Sequence, residues 1–283
     1  MGANSSVDRV NMTARANDIA TLHGPVGIFD AGIGSYDLVR RIRAAHPRQD
    51  VLYLADRASF PYGAKSEEAL LVSVGRAAHA LESLGASSII LASNAPSVTV
   101  LAPLRAQVQL PILGVVPPVR AALAAIPEDR VLAVVGASVL TQSDALGQLI
   151  SDAAGDEADR VHAVAADDLI SLVESGAFLD STRVQQPIAA FIAALRERHP
   201  QLGGLSLSST HLPWLATAIA REAPDLMLFD PADDVVVEFG RLATHGSGRL
   251  VCVATASSSH PIDEFLAMLQ TLRLDVTPTL IEL

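Results

Sequence analysis

Residues 89–97 read IILASNAPS, an apolar run that stops at a cluster of small polar residues. A near-echo, GLSLSSTHLP, occupies residues 204–213. Aligned on Ser93 and Ser209, each reads as a strand, then a serine, then Asn94 or Thr210, with a proline close behind. Apolar runs without polar alternation suit strands buried on both faces. The chain therefore builds the same kind of strand end twice.

Similar runs recur on either side of these two. They predict strands at 26–29, 51–55, 88–92, 112–116, 131–136, 161–165, 205–208, 226–229 and 250–255. Between most of them lie stretches with apolar residues at i, i+3 and i+4, such as 66–84 and 183–198, the spacing of a helix with one buried face. Buried strands alternating with helices indicate an α/β fold with mainly parallel sheets. In such folds ligands bind beyond the carboxyl ends of the strands. Several of these ends carry polar or glycine-rich loops: FDAGIGS, DRASFPYG, SNAPS, GASVLTQS and STHLP. Gly, Ser, Asp and Thr also favour such turns as plain turn formers and helix caps. The paired echo sets SNAPS and STHLP apart from that ordinary role.

The bulk composition narrows the partners. The chain has 283 residues, half of them hydrophobic and 18% charged, enough for a sizeable core in one or two domains. With 20 basic and 31 acidic residues the net charge is −11. Nucleic acid or an anionic membrane surface needs a basic face, so neither is expected as a partner. A small anionic ligand needs only local donors. No run approaches the ~20 apolar residues of a membrane span, and residues 1–23 read as a flexible tail rather than a signal peptide. The single cysteine, Cys252, excludes a disulfide within the chain and fits a buried strand position in a cytoplasmic protein. The single lysine, Lys65, in a loop-like stretch, disfavours a pyridoxal phosphate enzyme. The histidines show no His-x-x-x-His pair, so no metal is expected. The acidic stretch DPADDVVVEF (230–239) reads as a solvated helix start.

Several motifs together resemble the glutamate racemases of the aspartate/glutamate racemase superfamily, from about Pro25 onward. GIFDAGIGS is similar to the family's opening Phe-Asp-Ser-Gly-x-Gly-Gly, and YLADRASFPYGAKS to its Tyr-Leu-Gly-Asp…Phe-Pro-Tyr-Gly-x-Lys-Ser segment. ASNAPS sits where the family has Ala-Cys-Asn-Thr-Ala-Ser, and SSTHLP where it has Gly-Cys-Thr-His-Tyr-Pro. LISLVESG resembles the segment that carries a helper glutamate. The resemblance implies two pseudo-symmetric, flavodoxin-like α/β domains with the active site in the cleft between them. By family analogy, residues 24–118 plus 230–283 form the first domain and 119–229 the second. It implies a small amino-acid or carboxylate ligand, no cofactor, and a homodimer as one oligomeric state. It assigns catalytic positions to Asp30, Ser93, Glu174, Ser209 and His211. Substrate-binding positions fall to Ala31, Pro61, Tyr62, Gly63, Asn94, Ala95 and Thr210.

The departures from the family's pattern bear on the chemistry. Both echo positions are cysteines in the family, one thiolate taking the α-proton and the opposite thiol returning one to the other face. Here they are serines. Ala31 stands for a serine, Ala95 for a threonine, and Leu140 for a threonine. A free thiol titrates near pKa ~8.5 and is lowered by positive neighbours, whereas a serine hydroxyl needs an adjacent base. Two-thiol racemisation is therefore expected to be absent or slow by orders of magnitude. One reading is a diverged enzyme with one-base isomerase or lyase-type chemistry, His211 acting as base and Glu174 orienting it. Another is a non-catalytic ligand-binding or regulatory relative. A third is a glutamate racemase whose two cysteines have become serines, by evolution or by design. A serine hydrolase is also conceivable, but neither serine lies in a Gly-x-Ser-x-Gly elbow. Ser209 and His211 are moreover awkwardly spaced for contact on an extended segment.

Overall fold

The apolar runs form strands in two separate sheets of the computed structural model, which describes residues 18–274 and 276–283. In chain order these are β1 (Val26–Asp30), β2 (Val51–Ala55), β3 (Ser88–Leu91), β4 (Ile112–Gly114), β5 (Val131–Gly136), β6 (Val161–Ala165), β7 (Leu202–Ser208), β8 (Met227–Phe229), β9 (Leu250–Ala254) and β10 (Thr279–Leu280). The larger sheet has the order β10-β9-β2-β1-β3-β4 and the smaller β6-β5-β7-β8. Every pairing among the described residues is parallel. The larger sheet draws its strands from residues 26–114 and again from 250–280, the smaller from 131–229.

Both sheets are covered on both faces, which is why their central strands lack polar alternation. On one face of the larger sheet lie Val39, Ile42, Val235, Phe239 and Phe265, from helices Tyr36–Ala45, Pro231–Phe239 and Ile262–Thr271. On the other lies helix Glu67–Ser83 with Leu70, Val74, Ala77 and Leu81. That helix starts where Ser66 accepts from the Ala69 N–H and carries Glu67 and Glu68 in its first turn, both favourable at a helix N-terminus. The smaller sheet is covered by helices Asp167–Glu174 and Ser181–Arg198 on one side, and by Val119–Ala125 and Asp144–Ala154 on the other.

In both sheets the chain reverses the direction in which it adds strands. From β1 it goes to β2 on one side and later to β3 on the other, and from β5 to β6 and then to β7. Such switch points leave a crevice beyond the strand ends, because the following loops diverge to opposite faces.

Several details differ from the sequence reading. The strand expected at 205–208 begins at Leu202, because Gly203 and Gly204 belong to it. A Cβ on Gly204 would come within 2.8 Å of the Phe229 ring, so the residues that weaken the strand signal are those that allow the approach. The short edge strand β10 carried no periodic signal. The helix start at 230–239 is not solvated at Asp230, which caps the helix through the Ala232 N–H and receives Arg41 at 2.5 Å. Of the tail expected over residues 1–23, residues 1–17 lie outside the described residues. Residues 18–23 are held: Ile19 and Leu22 pack on the larger sheet's core, and the His23 N–H donates to Asp50. Cys252 is buried, as expected of a small hydrophobe on β9.

Candidate active site

The two switch points face each other across a cleft of about 460 Å³. All twelve residues that the resemblance assigned to the site line it, as does Leu140. From the larger sheet come Asp30 and Ala31 after β1, Pro61, Tyr62 and Gly63 after β2, and Ser93, Asn94 and Ala95 after β3. From the smaller come Leu140 after β5, Glu174 at the end of helix Asp167–Glu174, and Ser209, Thr210 and His211 after β7.

The deepest feature is a chain of ionisable groups. His211 Nε2 lies 2.7 Å from Glu174 Oε2. The other oxygen of Glu174 accepts from Arg57 Nη1 at 2.9 Å, and the same Nη1 donates to the Ala31 carbonyl at 2.7 Å. Burial alone would raise the Glu174 carboxyl, but the hydrogen bond and charge of His211, with Arg57 behind, outweigh it and hold the group below the usual carboxylate range. An ionised carboxylate only accepts, so in the neutral imidazole Nε2 carries the proton. That leaves Nδ1 as the bare nitrogen, and it lies 3.5 Å from Ser209 Oγ.

The Ser209–His211 contact overturns the expectation that two residues of separation would keep them apart. The segment is not extended: His211 has helical dihedrals at the head of the turn Leu212–Leu215, so its ring folds back toward Ser209. The loop opposite permits this. A Cβ on Gly34 would meet His211 Cγ at 2.8 Å and Nδ1 at 2.7 Å, so the glycines of GIG let the backbone lie flat against the imidazole.

Across the cleft, Asp30 is 3% exposed. Desolvation pushes its carboxyl up to about 6, against the opposing pull of His211, the Ala31 N–H and the Ser93 hydroxyl. Asp30 Oδ1 accepts the Ala31 N–H at 2.7 Å, and Thr210 Oγ1 lies 3.5 Å from Oδ2. Ser93 is half-buried at the head of helix Asn94–Thr99. Asn94 is buried and donates to the Val115 carbonyl, and the Tyr62 hydroxyl donates to Asp56. Among the described residues no group of three or more His, Cys, Asp or Glu side chains is arranged to hold a metal ion.

Sequence reading missed Arg57 and the Ser138–Asp167 pair. Arg57 stands in DRASFPYG beside an expected strand end, and a charged residue there was the available signal. Its partner Glu174 lies far along the chain, so nothing local pointed to it. Asp167 lines the cleft and accepts from both the Ser138 N–H and its hydroxyl.

Two mainly parallel α/β sheets that meet at a shared cleft match the two-domain fold of glutamate and aspartate racemases. No family model matches the chain. The chain is 32% identical over 258 residues to the glutamate racemase of Deinococcus radiodurans, spanning 88% of this chain and 86% of that protein. It therefore belongs to the glutamate racemase family. The structure of Thermus thermophilus glutamate racemase in complex with β-chloro-D-alanine superposes with a TM-score of 0.74 at 26% identity, covering 92% of this chain and 97% of that one. Glutamate racemase from Francisella tularensis in complex with D-glutamate shares the fold, with a TM-score of 0.74 at 20% identity over 91% of this chain and 97% of that one. Among the described residues no helix is long and apolar enough to cross a membrane.

Proposed function

We propose that the cleft moves a proton at the α-carbon of a small amino acid or related carboxylate by one-base isomerase or lyase-type chemistry, rather than by two-thiol racemisation. The observation that carries the reading is the orientation of His211. Its Nε2–H is engaged by an ionised Glu174 that Arg57 holds, so its Nδ1, 3.5 Å from Ser209 Oγ, is the nitrogen left to accept a proton. A proton removed from substrate arrives on Nδ1, directly or through the Ser209 hydroxyl, and the Glu174 carboxylate stabilises the imidazolium that forms. Asp30, across the cleft beside Ser93 and Thr210, is mostly ionised at neutral pH and faces the ligand's ammonium group, which leaves His211 as the single base. Ser93 and Ser209 are alcohols that pass protons or bond to substrate; neither stores the negative charge that a thiolate would.

The reading needs no pyridoxal phosphate, and the lone lysine, Lys65, is not among the residues lining the cleft. It takes over the cytosolic setting read from the single cysteine and the homodimer implied by the resemblance. The test is α-proton exchange in deuterated water over a panel of D- and L-amino acids and simple dicarboxylates, followed by NMR. One or more should exchange, and His211→Gln should abolish exchange without loss of fold. Introducing both Ser93→Cys and Ser209→Cys should make exchange two-faced. Racemisation of glutamate by the unaltered chain at an ordinary enzymatic rate would refute the one-base reading. Binding without exchange would favour a non-catalytic relative.

The Ser209–His211–Glu174 line favours a second reading, a hydrolase with Ser209 as nucleophile. Against it, the 3.5 Å contact is long, and Ser209 Oγ also lies 3.4 Å from the His211 N–H as an acceptor. Labelling of Ser209 by a fluorophosphonate would decide for it.

A further inference from the structure

The chemistry proposed for the cleft makes no use of the buried Tyr53 hydroxyl, yet its contacts lead back to the base. His211 and Glu174 are carried by the smaller sheet, but the loop that seats them belongs to the larger one. Gly32, Ile33 and Gly34 follow β1 and lie along the imidazole. A Cβ on Gly32 would come within 2.9 Å of His211 Cε1, and one on Gly34 within 2.8 Å of Cγ. Between them the Ile33 N–H donates to Glu174 Oε2 at 3.3 Å, the oxygen that faces Nε2. Two glycines permit this closeness but leave the backbone free to move, so the loop needs anchors.

At one end the Ala31 carbonyl is held by Arg57. At the other the Ile33 and Gly34 carbonyls accept from the Tyr36 and Asp37 N–H groups, and Gly34 also from Trp214 Nε1 at 3.0 Å. The Gly32 carbonyl is held by a side chain: Ser35 Oγ donates to it at 3.2 Å. Ser35 stands at the N-cap of helix Tyr36–Ala45, where a serine ordinarily accepts from the helix's own N–H groups, but its side chain makes no such bond. It turns instead to Gly32 and to the Tyr53 hydroxyl, 3.0 Å away. A hydroxyl has one proton to give, so with Ser35 donating to Gly32 it is Tyr53 that donates to Ser35. Neither residue reaches solvent, and burial pushes the Tyr53 hydroxyl well above its ordinary pKa, so it keeps that proton. Resting on the reading that His211 is the single base, we propose that Tyr53 and Ser35 are positioning residues for it: the Tyr53 hydroxyl, through Ser35, fixes the Gly32 carbonyl and with it the loop that sets the imidazole and the Glu174 carboxylate from across the boundary between the sheets. Neither lines the cleft, so they act on the rate of proton transfer and not on ligand binding. A reacting group displaced by about 1 Å can lose about a hundredfold in rate, and a loop still held at both ends moves by less than that.

Tyr53→Phe keeps the ring and deletes the hydroxyl, and Ser35→Ala deletes the link. Two measurements on the full chain test them. The first needs no ligand: nitrogen-15 NMR of the His211 imidazole should show Nε2 alone protonated in the parent, and a shifted or broadened signal with some Nδ1-protonated ring in both variants. The second is α-proton exchange over the same panel of D- and L-amino acids. It should fall about tenfold at saturation in each variant, with the half-saturating concentration unchanged within about twofold. Because the two hydroxyls act in series, the double variant should lose no more than the larger single loss. Ser73→Ala, which removes a buried hydroxyl from helix Glu67–Ser83 on the other face of the larger sheet, should change neither measurement. An imidazole signal unmoved in both variants, or exchange unmoved where the parent exchanges, overturns the proposal. A parent that exchanges none of the panel, with an imidazole signal that moves in both variants, sinks only the proton-transfer reading.

Discussion

Asp30 offers a quantitative test, because burial raises its pKa from 3.8 to about 6. A group whose pKa is higher folded than unfolded favours folding only while it is protonated. Below about pH 4 both states hold the proton and Asp30 costs nothing. As the pH rises toward 6 the unfolded chain releases its proton first, and the native state loses about 1.4 kcal/mol of stability per unit. Above 6 the loss levels off near (6 − 3.8) × 1.36, or about 3 kcal/mol. Asp30→Asn has nearly the same shape, keeps an oxygen for the Ala31 N–H, and cannot ionise. The stability difference between variant and parent should therefore grow in the variant's favour by about 3 kcal/mol between roughly pH 4 and pH 7, then stay flat. Urea unfolding at a series of pH values measures it. Comparing one pair of proteins across pH cancels any fixed cost of the asparagine. The same variant should lose proton exchange, so that the chain becomes more stable as it becomes inactive. A difference that is flat with pH, or that grows in the parent's favour, would show that Asp30 is not held in the desolvated setting described above.

Three other perturbations follow from the same geometry. Arg57→Met leaves the half-buried Glu174 carboxylate and the Ala31 carbonyl without their donor; a loss of about 3–5 kcal/mol is expected in denaturant unfolding, and less than about 1 kcal/mol would contradict the ion pair. Glu174→Gln keeps the side chain's shape but no longer fixes the proton on Nε2, so exchange should fall roughly a hundredfold while the fold persists; unchanged exchange would remove Glu174 from the mechanism. Gly34→Ala drives a methyl into the His211 ring at 2.7–2.8 Å; a cost of about 1–3 kcal/mol with a displaced imidazole resonance is expected by unfolding and NMR, and a neutral result would mean that the loop does not press on the ring.

Much of the fold was legible locally. Runs such as VLYLA and SIILA have no polar alternation because both faces of a parallel strand are buried, and that condition can be read residue by residue. The echo of Ser93 and Ser209 was legible for a related reason: each marks a strand end at a switch point, and the two sheets repeat the same local grammar. The site residues followed from short motifs that resemble the family's, although serine, alanine or leucine stands at several of their polar positions.

What stayed hidden depends on partners distant in the chain or on burial. Arg57 meets Glu174 only after two sheets have packed, and neither residue's neighbours in sequence encode the other. The bend that brings His211 back to Ser209 depends on the flat glycine loop at Gly34, which belongs to the other sheet. The raised pKa of Asp30 comes from desolvation, a property of the whole surrounding volume rather than of the residues beside it. Periodicity and turn chemistry act over a few residues and can be read from the chain, whereas electrostatics and close approach sum over everything nearby in space and exist only once the chain has folded.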